Sequence, residues 1–511
     1  MSEDSSTYNN KRIAKNTLML YIRMIFVMAV TLYTSRVVLN TLGVVDYGIY
    51  NVAGGVISMF AFLNTAMSSA SQRYITYTLG KGQKDRLSLV FSTSVQIHAL
   101  IGLLVILLGE TIGLWFLLNK LVIPAERMTA AIWVFQCSIA IAVISIMSVP
   151  YNADIIANEK MSAFAYISVL EAILKLLIVY LIIISPFDKL IFYALLGVAV
   201  QFFIRSIYVH YCRRHFEESK FHLVIEKPLL KEMLSFAGWS FFGNFAYVLY
   251  TQGVNMMLNM FFGPVVNAAR GIAVQVQGAI HGFAGNFQMA INPQITKNYA
   301  VGNLPQMHSL MFKSARFSYY LLFLLILPLF LETKYILTLW LKIVPENSVV
   351  FLQLMLAIAL LNPFASPCTI ANQATGVIKR FQFIVGTLLM MILPISYIVL
   401  RLGAPAYSVF IVHFCIEAIA VFVRMVLLRN LIDLPVKEYF KNVLFRVLVT
   451  TVISLIIPLL VRSHMDEGFL RFTVVTATSM VSVGGFVFLF GLTQTERVFI
   501  REKVKQKMHL S

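Results

Sequence analysis

Acidic residues are scarce in this chain. It holds 23 Asp and Glu against 41 Lys and Arg in 511 residues, and charged side chains of both signs make up 13% of it. Soluble domains average about a quarter charged, so an ordinary water-facing surface is excluded. Cysteine is also sparse: Cys137, Cys212, Cys368 and Cys415 are scattered, without a CxxC pair or the spacing of a disulfide framework. HExxH, the P-loop, GxSxG and an aspartate-rich pair are all missing, which removes the best-marked metalloprotease, nucleotide-binding and hydrolase signatures. HYCRRH at 210–215 carries metal-ligand types, but Arg213 and Arg214 stand between them; it reads as the basic end of a membrane helix. No cofactor and no metal site is expected.

Apolar residues take the vacated share: 59% of the chain, including 40 Phe, with a mean hydropathy of +0.80. That much apolar surface cannot be hidden from water at any plausible surface-to-volume ratio, so the solvent is lipid. Stretches long enough to cross about 30 Å of hydrocarbon fall near 15–39, 48–72, 89–118, 129–149, 162–185 and 190–211, then 234–261, 265–291, 314–331, 348–366, 381–400 and 406–428, then 443–462 and 469–491. The second and eighth are rich in Gly, Ser, Asn and Gln, as expected of spans with a face on a cavity. Segments 1–14 (MSEDSSTYNNKR at its start) and 493–511 read as a polar tail and a basic tail. The formal charge of +18 could suggest nucleic acid, but most of it sorts into alternate loops: Lys81, Lys84 and Arg86, then Arg213, Arg214 and Lys220, then Lys437 and Lys441. This is the positive-inside pattern with both termini cytoplasmic, and it leaves no nucleic-acid partner to explain.

An internal repeat organises the spans. Shifted by 220 residues, NPQITKNYAVGN at 292–303 falls without gaps on QRYITYTLGKGQ at 72–83, so that Ile75 and Thr76 meet Ile295 and Thr296 and Gly82 meets Gly302. At the same offset Gly43 meets Gly263, Val45 meets Val265, Ala53 meets Ala273, Val56 meets Val276 and Ala70 meets Ala290. Six helices separate the copies, so they run the same way and the axis relating them lies along the membrane normal. The expected fold is an all-α membrane protein of about 14 transmembrane helices: an N-lobe at 15–211, a cytoplasmic linker at 212–232, a C-lobe at 233–429, and two further helices at 430–492. Two such lobes can form a cleft that opens to either side by rocking. Pro150, Pro293, Asn362, Pro363 and Pro367 are expected chiefly to end helices near the membrane faces.

Ionisable residues inside spans are costly, and each is a functional candidate by default. Arg23 and Arg36 lie in the first span; Arg270 lies in the eighth, followed by Gln275, Gln277, His281, Asn286 and Gln288. Guanidinium can hold an anionic head group bidentately, whereas arginines near span ends also snorkel to the interface. Glu171 and Lys175 stand i to i+4 in the favourable order, either an internal ion pair or, in Glu171, a cation carrier. His413 and Glu417 share the same spacing, with Arg424 two turns on, and carry the same alternatives. His98 reads as a hydrogen-bonded helix–helix contact, and Asp46 and Asp154 as loop residues that cap or bridge. The longest outer loop, ETKYILTLWLKIVPE near 332–346, is small for an enzyme of glycan assembly.

GVVDYGIYNVAGGVISMFAFLNTAMSSASQRYITYTLGKG at 43–82 and NAARGIAVQVQGAIHGFAGNFQMAINPQITKNYAVG at 267–302 resemble bacterial lipid-linked oligosaccharide flippases, the O-antigen and capsule translocases of the multidrug/oligosaccharidyl-lipid/polysaccharide exporter superfamily. The resemblance implies a multi-pass protein of the bacterial cytoplasmic membrane. Such a protein moves undecaprenyl-pyrophosphate-linked oligosaccharide from the inner to the outer leaflet by alternating access, for surface-polysaccharide synthesis, in company with glycan polymerases. It also implies a cationic cavity, with arginines on helices one, two and eight. Arg23, Arg36 and Arg270 fit helices one and eight, but span two offers only Arg73, at its end. Without an ATP site, the drive would be H⁺, Na⁺, membrane potential or substrate flux. The rival readings are a cation-coupled drug exporter of the same superfamily, a membrane polymerase or acyltransferase, and a scramblase or scaffold.

Overall fold

The computed structural model describes residues 16–31, 33–34, 37–38, 41–42, 46, 49–50, 61–119, 123–223, 226–262, 264–341, 344–498 and 501–502. The described residues are helical, joined by short turns. In chain order the main helices are α1 (Asn16–Thr31), α2 (Ala61–Lys81), α3 (Lys84–Asn119), α4 (Ala125–Ala157), α5 (Met161–Ile184), α6 (Lys189–His215), α7 (Lys227–Phe262), α8 (Pro264–Ala300), α9 (Leu304–Leu331), α10 (Ser348–Thr375), α11 (Lys379–Arg401), α12 (Ser408–Ile432), α13 (Val436–Ser463) and α14 (Phe469–Gly491). Ten of these are long and apolar enough to cross a membrane: α3 to α6 and α9 to α14. Helices α2, α7 and α8 fall outside that set although α7 and α8 run 36 and 37 residues, because Asn, Gln, Ser and Gly dilute their apolar faces.

The chain divides into two compact units: Met1–Phe245 with Thr296–Gly302, and Ala246–Ile295 with Asn303–Ser511. In the first, α4 is the central helix and packs against α2, α3, α5 and α6. Its Ala130, Ala131, Val134 and Phe135 are buried with Leu190 and Ala194 of α6; small residues let the two backbones approach, which is what holds membrane helices together when lipid is as apolar as leucine. In the second unit α9 is central, packed against α10, α13 and α14. Buried Arg316 of α9 donates to the Gly491 carbonyl at 3.1 Å and to Glu496 at 2.7 Å, and Tyr319 bonds Thr451 at 2.9 Å. These bonds fasten the last two helices to α9.

The α2–α3 and α8–α9 turns repeat each other 220 residues apart. Gly82 and Gly302 both lie in the left-handed region, at φ of 69° and 76°. The Gly82 amide donates to Leu79 O at 3.0 Å and the Gly302 amide to Tyr299 O at 2.9 Å. Ala70 and Ala290, Ile75 and Ile295, and Thr76 and Thr296 are buried in pairs. Of the upstream half of the register, Gly43, Val45, Ala53, Val56 and Gly263 lie outside the described residues, as do residues 1–15 and, in the basic tail, 503–511.

The prolines depart from expectation. Pro150 lies inside α4, Pro293 inside α8 and Pro367 inside α10, and none of them ends its helix. α8 runs on to Ala300 and stops where Gly302 supplies the left-handed cap. A proline removes one amide and displaces one carbonyl, and membrane helices tolerate this where neighbours re-satisfy the freed group. Pro363 does mark a break, at residues 360–361 between the two helical segments of α10.

Candidate substrate and ion sites in the two units

In the second unit, Arg270 sits on α8 and is nine-tenths buried. Its Nη2 donates to the Thr251 carbonyl of α7 at 2.9 Å, while its Nε is buried without a hydrogen-bond partner among the described residues. Among the described residues no carboxylate pairs with it. Tyr247 and Tyr250 of α7 are its electrostatic neighbours, and the Thr251 hydroxyl donates back to the Tyr247 carbonyl. Tyr250 meets the His413 ring of α12 edge-on, centroids 5.1 Å apart. One turn along α12, partly buried Glu417 accepts from buried Arg424 at 2.8 Å. The expected i to i+4 partnership of His413 with Glu417 is thus replaced by an i to i+7 ion pair, and His413 faces a tyrosine. Two guanidiniums against one carboxylate leave this cluster cationic.

The 3.6-residue period places Gln277, His281 and Gln288 on the Arg270 stripe of α8. Gln277 donates to the Met355 carbonyl at 3.2 Å and Gln288 accepts from Ser366 at 2.8 Å, so the stripe packs on α10. His281 is partly buried on it, whereas Gln275 is exposed on another face and is not brought to Arg270.

In the first unit, Arg23 of α1 lies over the Phe164 ring of α5, 4.6 Å from its centroid, a cation–π contact. Glu171 of α5 and Tyr208 of α6 are its electrostatic neighbours. Its Nε is also buried without a hydrogen-bond partner among the described residues. Lys175 donates to Glu171 at 2.6 Å, so the i to i+4 ion pair forms. Arg36 lies outside the described residues. Arg73 is caged over Tyr74 and Tyr77 at 4.4 and 4.8 Å. His98 bonds its own helix at Ser94 O, 2.8 Å away, rather than a neighbouring helix. Asp154, expected in a loop, is buried in the last turn of α4, accepting from Ser219 and from Asn158. The HYCRRH histidines stay apart from any ligand set: among the described residues no group of three metal-binding side chains forms.

Other contacts escaped the sequence. Arg127 at the start of α4 bridges Asp46 at 2.6 Å and Asp188, the cap of α6, at 2.5 Å, drawing together three separate stretches of the first unit. Arg471 and Glu332 pair at 2.9 Å in the second. Their partners stand 61 to 139 residues apart, beyond the reach of local spacing.

No family model and no curated protein matches the sequence. Solved structures do match. A multidrug resistance MATE family transporter of the MOP superfamily, in an outward-facing conformation, superimposes with a TM-score of 0.70 at 15% identity, over 82% of this chain and 96% of that one. The chain shares the MATE transporter fold. A MATE structure in the bent conformation gives 0.72 at 15% identity over 84% and 97%. A MOP superfamily transporter from Pyrococcus furiosus Vc1 (DSM3638), for which reverse polarity of the binding pocket is said to suggest a different function, gives 0.67 at 14% identity over 82% and 96%. Ten helices among the described residues are long and apolar enough to cross a membrane, in keeping with this multi-pass fold.

Proposed function

We propose that the chain is a flippase that carries an anionic, pyrophosphate-linked oligosaccharide lipid across the bacterial cytoplasmic membrane by alternating access, with both termini cytoplasmic and glycan polymerases downstream. The observation that carries this reading is Arg270: a buried guanidinium with one backbone carbonyl for company and no carboxylate among the described residues. An uncompensated charge among apolar helices is costly, and a phosphate-bearing cargo supplies the missing counter-charge through two parallel hydrogen bonds. Arg23, with its own unsatisfied Nε, is the corresponding candidate in the first unit, and His281 is a further polar contact on the Arg270 stripe. Arg36 and Gln275 remain proposals of the sequence pattern. The Pyrococcus transporter shows that pocket polarity is discussed as a functional variable within this fold.

The test is export of surface glycan in a deletion strain. Arg270→Ala should lower it roughly 10- to 100-fold, equivalent to the loss of one hydrogen bond to a charged group at about 1.5–3 kcal/mol, with protein level unchanged. Arg270→Lys should retain part, because a point charge loses the planar fork. Full export in Arg270→Ala removes the residue from the site.

The rival reading, a cation-coupled drug exporter, is favoured by the two intramembrane carboxylates Glu171 and Glu417 and by the MATE neighbours. Each carboxylate already has a basic partner, at 2.6 and 2.8 Å, which fits an internal ion pair at least as well as an H⁺ or Na⁺ carrier. Drug accumulation measured in the same strains separates the two.

A further inference from the structure

Six of the seven left-handed residues among those described are glycines or types that tolerate the region: Gly82, Gly302, Gly376, Gly403, Asn347 and Asp433. The seventh is Glu159, at φ 59° in the turn between α4 and α5. Its counterpart between α10 and α11 is Gly376, at 78°. Glutamate gains nothing from this backbone region, so a glutamate held there against the local preference points to a use for its side chain.

That side chain is almost wholly buried and accepts from Lys297 at 2.8 Å, while its backbone carbonyl accepts from Asn16 of α1 at 3.1 Å. Lys297 belongs to residues 296–302, the end of α8, which clusters with the first unit although the preceding part of α8 belongs to the second. The seat is close: a Cβ on Gly80 of α2 would stand 2.8 Å from Ala300 Cβ and 3.0 Å from Lys297 Cα. Tyr77 and Tyr299 meet at 6.3 Å, and Thr296, Asn298 and Ala300 are buried. Pro293 lies three residues before this segment, where its missing amide leaves the Met289 carbonyl without a helical donor and weakens the helix against bending.

We propose that residues 296–302 are a latch, hinged at Pro293, seated against Gly80 and bolted by the Glu159–Lys297 ion pair, and that transport requires its withdrawal. The chemistry of the bolt is a desolvated carboxylate–ammonium pair, in which removal of either partner strands the other charge. The inference does not depend on the cargo, and its test uses none.

Thr296→Cys in a Cys415→Ser background reports the seat in detergent-purified full-length protein, through its rate of reaction with a polar maleimide; Cys137, buried in the core of the first unit, reports general opening. Glu159→Gly removes the carboxylate and relieves the backbone, and Lys297→Met removes the ammonium. Each should raise the rate at Thr296→Cys on the order of tenfold, within the usual range of coupling between packed elements, with Cys137 protected. Equal rates in parent and both variants overturn the bolt. If either variant also exposes Cys137, Gly80→Ala decides, because its methyl wedges the seat without touching a charge: faster reaction at Thr296→Cys with Cys137 protected supports the latch, and an unchanged rate overturns it.

Discussion

Glu171 and Lys175 illustrate how far a single residue can be read. Their i to i+4 spacing named the pair, and the pair forms; the same spacing for His413 and Glu417 failed, because an arginine two turns along α12 competes more strongly for the carboxylate than a ring that finds a tyrosine. If Glu171 is structural, Glu171→Gln with Lys175→Met should leave transport within about twofold of the parent, since both members of the pair are replaced together; loss of transport in the double variant would instead make Glu171 a carrier. Asp188 gives a pH prediction. The hydrogen bond from Arg127 holds its carboxyl below the usual range, against a smaller opposing effect of burial, with the Ile191 amide helping. A lowered folded value contributes stability that is present above the ordinary carboxylate pKa of about 3.9 and is lost as pH falls through the folded value. Thermal melts in detergent should therefore weaken on acidification below about pH 4, and Asp188→Asn should flatten that part of the profile. An unchanged profile would mean that the Arg127 clamp carries no stability.

Helices and their ends were legible to different degrees. Hydropathy located the apolar helices because span length is imposed by the bilayer, but it missed their extensions, since α4 runs on to Ala157 and α10 to Thr375 while α9 begins at Leu304 and α13 at Val436; the 220-residue register found twin turns because a left-handed cap favours glycine. Proline was misread at Pro150, Pro293 and Pro367, since an interior proline ends a water-exposed helix more readily than one enclosed by neighbouring helices. A stability measurement checks the twin turns. A Cβ at either Gly82 or Gly302 would meet no atom within 4 Å, so alanine there should cost the backbone term alone, about 1 kcal/mol, and by the same amount at both sites. A clear inequality in melting temperature between Gly82→Ala and Gly302→Ala would show that the two turns are not equivalent.

For the molecule as a whole, composition and loop charge gave a multi-pass helical protein, and the MATE-like fold agrees with that. The candidate site was less legible. The sequence named Gln275 and His281 together as polar residues following Arg270, but Gln275 is exposed on another face of α8; Thr251, Tyr247 and Tyr250 reach Arg270 from α7, and no local pattern joins residues across two helices. The clamp of Arg127 and the bolt of Glu159 were hidden for the same reason. The central claim, that the cationic cluster around Arg270 serves an anionic glycolipid, is tested most directly by reconstituting purified protein in liposomes containing fluorescent lipid-pyrophosphate oligosaccharide and following its appearance in the opposite leaflet. Parent protein should translocate it and Arg270→Ala should do so roughly 10- to 100-fold more slowly; liposomes that leave the glycolipid in place while expelling a cationic drug down an imposed ion gradient would contradict the account.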